Sequence, residues 1–226
     1  MISYTFLKQL VDNFFSDHEI SLLSQAITES YARVSYVNAN GPLMGPRCPA
    51  GRKIKPFSYY LEVEASIDKL CSTGSLSCKS EWKEIARNGD RYLLLSKKIM
   101  GYTVQMTINQ TKTINEVSRP AECRKSMNHN TQLSLFDDDD LDTKNPSKVY
   151  LELNHGYEGL KPRFIMLGLP TKDGTWVVKK VLPLEQKATT IEKNTLSMWN
   201  AESEKQSVGF TPDELVNNTK KQEKNG

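Results

Sequence analysis

The apolar and polar positions near the N-terminus follow a helical period. In residues 6–15 and again in 20–31, apolar side chains recur three or four positions apart, which predicts two amphipathic helices. Ser16 and Glu19 lie between them at the spacing of a capping box, in which each side chain bonds the other residue's backbone amide. We interpret the region as a packing helical hairpin. A DNA-reading helix-turn-helix is the alternative, although Arg33 is the sole basic residue that its second helix would carry.

Two more helices are predicted after an irregular stretch. Residues 38–56 are rich in glycine and proline and hold several basic residues, but they lack the order of a phosphate-binding loop, so we interpret them as a solvated loop. Residues 59–70 suit a helix, although their first residues would also suit a strand. Residues 81–87, followed by Asn88-Gly89, are predicted as a short helix with a glycine after its end.

The pattern then changes from helical spacing to alternation. Strands are predicted over residues 92–97, 102–109, 149–154, 164–169 and 176–182. In the third of these, the alternation directs Tyr150, Glu152 and Asn154 away from the core. The fourth is apolar on both faces and is predicted to be a central strand.

The predicted fold class is therefore α+β, with N-terminal helices packed on an antiparallel meander of about five strands. We expect one domain over residues 1–184. Two polar segments do not fit this scheme: residues 113–148 are predicted to be a flexible insertion, and residues 185–226 a disordered tail.

Composition limits the classes of function. The chain has 226 residues, a net charge of +3 and 25% charged residues. This balance permits weak DNA contact but lacks the strong basic footprint of a dedicated duplex binder. The sequence contains neither a run of about 18 apolar residues nor a secretory signal pattern, so we expect a cytoplasmic protein without membrane contact.

The spacing of cysteines and histidines gives little indication of a metal site or of a catalytic nucleophile. The cysteines form no Cys-x-x-Cys pair and lie at no zinc spacing from a histidine, so we expect reduced, inert thiols and predict no metal site and no cofactor. Among the histidines, His155 has the most polar neighbours, and we interpret it as part of a turn rather than a catalytic base. The cysteines are Cys48, Cys71, Cys78 and Cys123.

A magnesium-dependent nuclease would need two or three converging carboxylates. Glu62, Glu64 and Asp68, with Lys69, are close in sequence. On a helix, however, Glu62 points away from the other two, so a solvated helical face is the preferred interpretation. We assign no catalytic residue, and whether the chain is an enzyme stays open.

One short segment of the polar insertion is unusual. Gln132-Leu133-Ser134-Leu135-Phe136 is followed at once by four aspartates. Three large apolar side chains in a polar stretch are too few to form a core, and exposed groups of this kind commonly mark a binding site. An extended segment of this type suits a cleft with a polar rim and a hydrophobic floor.

These five residues resemble the pentapeptide by which bacterial DNA polymerases and mismatch-repair proteins bind the sliding clamp, the β ring of the replicative polymerase. The resemblance implies that Gln132 hydrogen-bonds at the rim of the clamp's peptide pocket and that Leu133 fills a shallow subsite. It further implies that Ser134 is a tolerant spacer and that Leu135 and Phe136 enter the deeper pocket. Every position agrees with the family's preferred residue, but the resemblance covers only this peptide and does not extend to the folded domain.

Three functions remain open from the sequence. The first is a bacterial, phage or mobile-element factor that docks on the clamp through Gln132–Phe136 and modulates or accompanies replication or repair. The second is a metal-dependent nuclease recruited by the same peptide. The third is an α+β binding domain with no clamp interaction, in which Leu133, Leu135 and Phe136 pack on the sheet as a small strand.

Overall fold

The computed structural model describes most of residues 3–184, and all described residues fall in one compact unit spanning 1–186. The described ranges are 3–40, 54–85, 89–119, 148–156, 160–171 and 173–184, together with residues 121, 124 and 127. They form three helices, α1 (Tyr4–Asp12), α2 (Asp17–Asn40) and α3 (Ile54–Ser72). They also form six strands, β1 (Lys79–Glu84), β2 (Arg91–Ile99), β3 (Tyr102–Thr111), β4 (Lys148–Gly156), β5 (Ile165–Pro170) and β6 (Trp176–Leu182).

The fold class is α+β, as predicted. The helices cover one face of a single sheet, and the core between them includes Leu10, Leu23 and Ile67 from the helices and Met106 and Leu151 from the strands. The predicted tail, 185–226, lies outside the described residues.

The sheet departs from a pure meander at one pairing. Its strand order is β1-β2-β3-β4-β5-β6, and the neighbours are antiparallel except for β3 and β4, which are parallel. Their register runs from Thr103 opposite Lys148 to Thr111 opposite Gly156. Alternating hydrophobicity predicts which face a side chain occupies, but it carries no information on strand direction. The predicted antiparallel pairing is therefore wrong at this position.

The predicted helix over residues 81–87 is also wrong. Residues 79–84 form the edge strand β1, where Trp82 lies opposite Leu93 of β2. The Trp82 indole N–H also donates to Asp68 of α3 at 2.9 Å. Pairing with β2 and packing on α3 thus outweigh a local pattern that suits a helix, as tertiary contacts often do in short segments.

The second face of the sheet differs from expectation as well. Tyr150, Glu152 and Asn154 point away from the helices, as the alternation predicts, yet they are 1%, 2% and 0% exposed. Solvent is excluded because the chain after β3 lies across them, and Ser118 bonds Glu152 there. The opening residues of the predicted insertion are thus part of the folded domain.

The junction of α1 and α2 confirms the predicted capping box. The Glu19 carboxylate accepts from the Ser16 amide at 2.8 Å, and the Ser16 hydroxyl accepts from the Glu19 amide at 3.3 Å. The other Glu19 oxygen accepts from the amide and hydroxyl of Ser77, both at 2.6 Å. Burial opposes ionisation of Glu19, but the hydrogen bonds from Ser77 and Ser16 outweigh it and lower the pKa to about 2.

Glu19→Gln should therefore destabilise the protein by about 2 kcal/mol at neutral pH. Because the folded-state pKa lies below the unfolded one, this stabilisation is present above about pH 5 and lost as the pH falls toward 2. Urea unfolding of the wild type and the variant across this range measures the effect. Glu29→Gln, in the same helix but half-exposed, is the matched control. A stability difference that stays constant down to pH 2.5 would contradict the assignment.

Candidate functional site

The predicted clamp-binding peptide lies in the connection between β3 and β4. Gln132–Phe136 itself lies outside the described residues, and so does the rest of 128–147. The structure does describe the strands that the connection joins and its first residues, 112–119. The structure therefore defines the two strands that flank the peptide and the first part of the connection that contains it.

The parallel pairing dictates the course of this connection. Parallel neighbours cannot be joined by a tight hairpin, because the chain must return along the sheet before it enters the second strand. The nine paired positions of β3 and β4 make this return roughly 30 Å long at about 3.3 Å per residue. Residues 112–147 are the connection that makes this crossover, and the topology requires a connection of about a dozen residues or more here.

The start of the crossover is held by a cluster of polar side chains on the second face, which we call the crossover anchor. Strands β3 and β4 place two polar rows next to each other there, since Thr107 is registered with Glu152 and Asn109 with Asn154. The crossover adds two more polar side chains. The crossover anchor consists of Thr107, Asn109, Tyr150, Glu152 and Asn154 from the strands and Ser118 and Arg124 from the crossover.

Glu152 is the centre of the crossover anchor. Its carboxylate accepts from the Ser118 amide at 3.0 Å and from the Ser118 hydroxyl at 2.6 Å. The Tyr150 hydroxyl donates to it at 3.2 Å and lies 2.6 Å from the hydroxyl oxygen of Thr107. Burial, and then the charge of Glu152, raises the pKa of Tyr150 well above its usual value, so the phenol stays a neutral donor.

A second set of bonds fixes the crossover beyond Ser118. The Arg124 guanidinium donates to the Asn109 side-chain oxygen at 3.0 Å and to the Arg119 carbonyl at 2.5 Å. The Asn154 amide donates to the Glu116 carbonyl at 3.3 Å. The crossover anchor thus bonds both backbone and side-chain atoms of the connection, and this arrangement fixes the connection in place.

Trp176 and Lys179 hold the crossover at its beginning. The Trp176 indole donates to the Asn115 carbonyl at 3.2 Å, and the Lys179 ammonium donates to the Asn115 side-chain oxygen at 2.8 Å. The Trp176 ring lies against Gly168, where an added Cβ would be 2.7 Å from it. Glycine at this position therefore lets the ring pack directly against β5.

His155 belongs to β4 on the helix-covered face rather than to a turn. The Tyr31 hydroxyl lies 2.7 Å from its Nδ1 and donates to the Gly156 carbonyl at 2.6 Å. Because a phenol has one proton, this assigns Nδ1–H as the donor to Tyr31. Burial lowers the pKa of His155 to about 3, and the residue is fully enclosed. It is therefore a neutral core residue, with no access to a substrate.

The carboxylates considered for metal binding face different partners. Glu62 pairs with Arg33 at 2.8 Å, and Asp68 accepts from the Trp82 indole. Glu64 is fully buried, which corrects its assignment to a solvated face, and it accepts from the Leu93 amide at 2.9 Å. Across the described ranges, no group of three acidic, histidine or cysteine side chains is placed to hold a metal ion.

Comparisons with models of known protein families, with curated proteins and with solved structures gave no match. Within the described part of the chain, no helix has the length and apolar character needed to cross a bilayer. Functional inference therefore depends on the residues of this chain alone.

Ser118→Ala should loosen the crossover, because it removes the 2.6 Å bond to a buried carboxylate. We expect a loss of about 1–3 kcal/mol in the free energy of unfolding. We also expect faster proteolytic cleavage within residues 112–127. Thr113→Ala, at an exposed position of the same segment, is the control and should change neither quantity. Equal cleavage rates in the two variants would show that the Ser118–Glu152 contact does not hold the segment.

Glu64→Gln should change the pH dependence of stability in the opposite sense to Glu19→Gln. Burial raises the pKa of Glu64 to about 7 despite bonds from Leu93 and Tyr60. The folded state therefore binds more protons than the unfolded state between about pH 4.5 and 7, and the wild type loses stability as the pH rises through this range.

The glutamine variant keeps an acceptor for Leu93 without the buried charge. Its stability relative to the wild type should rise by about 2–3 kcal/mol from pH 4.5 to 7.5. Chemical unfolding at the two pH values measures the change. Glu62→Gln, on a partly exposed carboxylate of the same helix, is the comparison. A pH-independent difference for Glu64→Gln would refute this interpretation.

Proposed function

We propose that this chain is a cytoplasmic protein that docks on the bacterial DNA sliding clamp through Gln132–Phe136 and thereby modulates or accompanies DNA replication or repair. The main observation in support of this proposal is the pentapeptide itself, which resembles the family pattern at every position. Its place in the chain supports the proposal, because Gln132–Phe136 lies between β3 and β4 and is part of neither strand.

The described structure supports presentation of this peptide from a fixed base. The crossover leaves β3 over the crossover anchor and rejoins the sheet at the adjacent strand β4. A peptide fixed at both ends explores less space than one on a free tail, so less entropy is lost when it orders on a partner. The anchor would thereby strengthen clamp binding without contacting the clamp.

The expected affinity follows from the number of side chains that bind. Leu133, Leu135 and Phe136 each contribute about 1.5–3 kcal/mol when fully buried in a pocket, and Gln132 adds a hydrogen bond. Ordering the segment and losing rotational freedom offset part of this gain. We therefore expect a micromolar dissociation constant.

The charges around the peptide favour docking over DNA binding. Asp137–Asp140 follow Phe136 directly and would repel nearby phosphates. A chain seated in the clamp cleft would exclude other proteins that use the same pocket. The separate partners of Glu62, Glu64 and Asp68 give no support to the alternative of a clamp-recruited nuclease.

Gln132→Ala combined with Phe136→Ala should weaken binding of the full chain to a purified bacterial clamp by at least about 30-fold. The reason is that the polar contact at the rim and the deepest apolar contact are both lost. Ser134→Ala is the matched control, since the resemblance makes this position a tolerant spacer. Titration of labelled chain with clamp, followed by fluorescence anisotropy, gives the three dissociation constants.

Thermal unfolding of the variants separates loss of binding from loss of fold. We expect the double variant to melt within about 1 °C of the wild type, because surface substitutions away from the core rarely change stability. Undiminished clamp binding by the double variant would overturn the proposal. A large drop in its melting temperature would instead indicate that Phe136 belongs to the protein's own core, as the third alternative requires.

A further inference from the structure

The described structure brings together two cysteines that the sequence spacing did not connect. The sulfur atoms of Cys71 and Cys78 lie 3.5 Å apart. Cys71 is in the last turn of α3 and is partly exposed, while Cys78 directly precedes β1 and is buried. Both are free thiols.

The turn between them is held by its own backbone bonds. The Thr73 amide donates to the Lys69 carbonyl, and the amides of Ser75 and Leu76 both donate to Leu70, at distances of 2.9–3.2 Å. Gly74 has φ of +75°, a left-handed conformation that glycine adopts without strain. The two sulfurs are therefore neighbours because the fold fixes the turn, and not because two mobile side chains happen to meet.

We propose that Cys71 and Cys78 form a reversible disulfide and make this turn a thiol–disulfide exchange site for small-molecule disulfides of the glutathione class. Closing the bond requires the sulfurs to approach by about 1.5 Å, to a bond length near 2.05 Å. The site is independent of the clamp-binding peptide.

The exchange takes two balanced steps. The Cys71 thiol loses its proton to water, and its thiolate attacks one sulfur of the disulfide RSSR, which releases one thiolate RS⁻ and leaves a mixed disulfide on Cys71. Cys78 then loses its proton to water, its thiolate attacks the Cys71 sulfur and expels the second RS⁻, and each RS⁻ takes up one proton. The two cysteines together lose two electrons and two protons, and RSSR is reduced to two thiols.

The surroundings give the two sulfurs different roles. The hydrogen bond from Cys71 lowers the pKa of Cys78 despite burial, while the same bond and burial raise the pKa of Cys71. The Cys78 sulfur lies 3.5 Å from that of Cys71, so Cys78 is placed to resolve a mixed disulfide on Cys71. Cys71 is the sulfur that an incoming disulfide reaches, so its attack should limit the rate and accelerate with rising pH.

The test uses the full chain carrying Cys48→Ser and Cys123→Ser, which leaves this pair alone. Treatment with excess bis(2-hydroxyethyl) disulfide should yield the Cys71–Cys78 disulfide, identified by intact mass and peptide mapping. The effective concentration of the pair, measured against the same reagent, should be at least tenfold higher in the native chain than in guanidinium, where the fold no longer holds the turn.

Two further variants assign the steps. Cys78→Ser should accumulate the mixed disulfide on Cys71, because nothing resolves it, whereas Cys71→Ser should react at least tenfold more slowly. Dithiothreitol should restore the reduced wild-type pair. The proposal is overturned if the native pair stays reduced or stops at a mixed disulfide. It is overturned equally if the pair closes no more readily in the native chain than in the unfolded one.

Discussion

The parallel pairing of β3 and β4 is the constraint on which the rest of the structure depends. In a sheet whose other neighbours are antiparallel, this one pairing requires the connection 112–147 to join the end of β3 to the distant start of β4. The first residues of this connection, 112–119, lie across the second face, so polar residues that would otherwise meet solvent become buried. It also places Gln132–Phe136 in a connection between two fixed strand ends.

The buried Glu152 shows how hydrogen bonds fix the position of the chain that follows β3. A carboxylate removed from water is costly unless hydrogen bonds replace its hydration. Ser118 and Tyr150 supply these bonds, and a crossover displaced by one residue would lose the bonds from Ser118. An apolar surface would attract the connection without distinguishing one register from the next, whereas directional bonds fix it.

Local structure can be predicted from the sequence where the interacting residues are close along the chain. The Ser16–Glu19 capping box and the five predicted strands are examples, since their signals occupy windows of a few residues. Features that depend on contacts between residues far apart in the sequence could not be predicted. Strand direction leaves no mark on alternation, and the burial of Glu152 depends on Ser118, far away in sequence.

The two proposed functional features illustrate the same limit from opposite sides. Sequence alone points to the clamp-binding peptide, since its pattern is contiguous. The proximity of Cys71 and Cys78 is a property of the folded chain, because they are joined by a turn whose shape no spacing rule for metal or redox motifs describes. The signal that would have suggested it is the Thr73-Gly74 turn after a helix, with a cysteine on each side.

Hydrogen–deuterium exchange of the full chain, with and without the clamp, tests the central claim most directly. The amides of residues 132–136 should exchange rapidly in the free chain and become protected when the clamp is added, while β3 and β4 remain unchanged. Slow exchange of these amides in the free chain, or protection that appears elsewhere and not in 132–136, would contradict docking through this peptide.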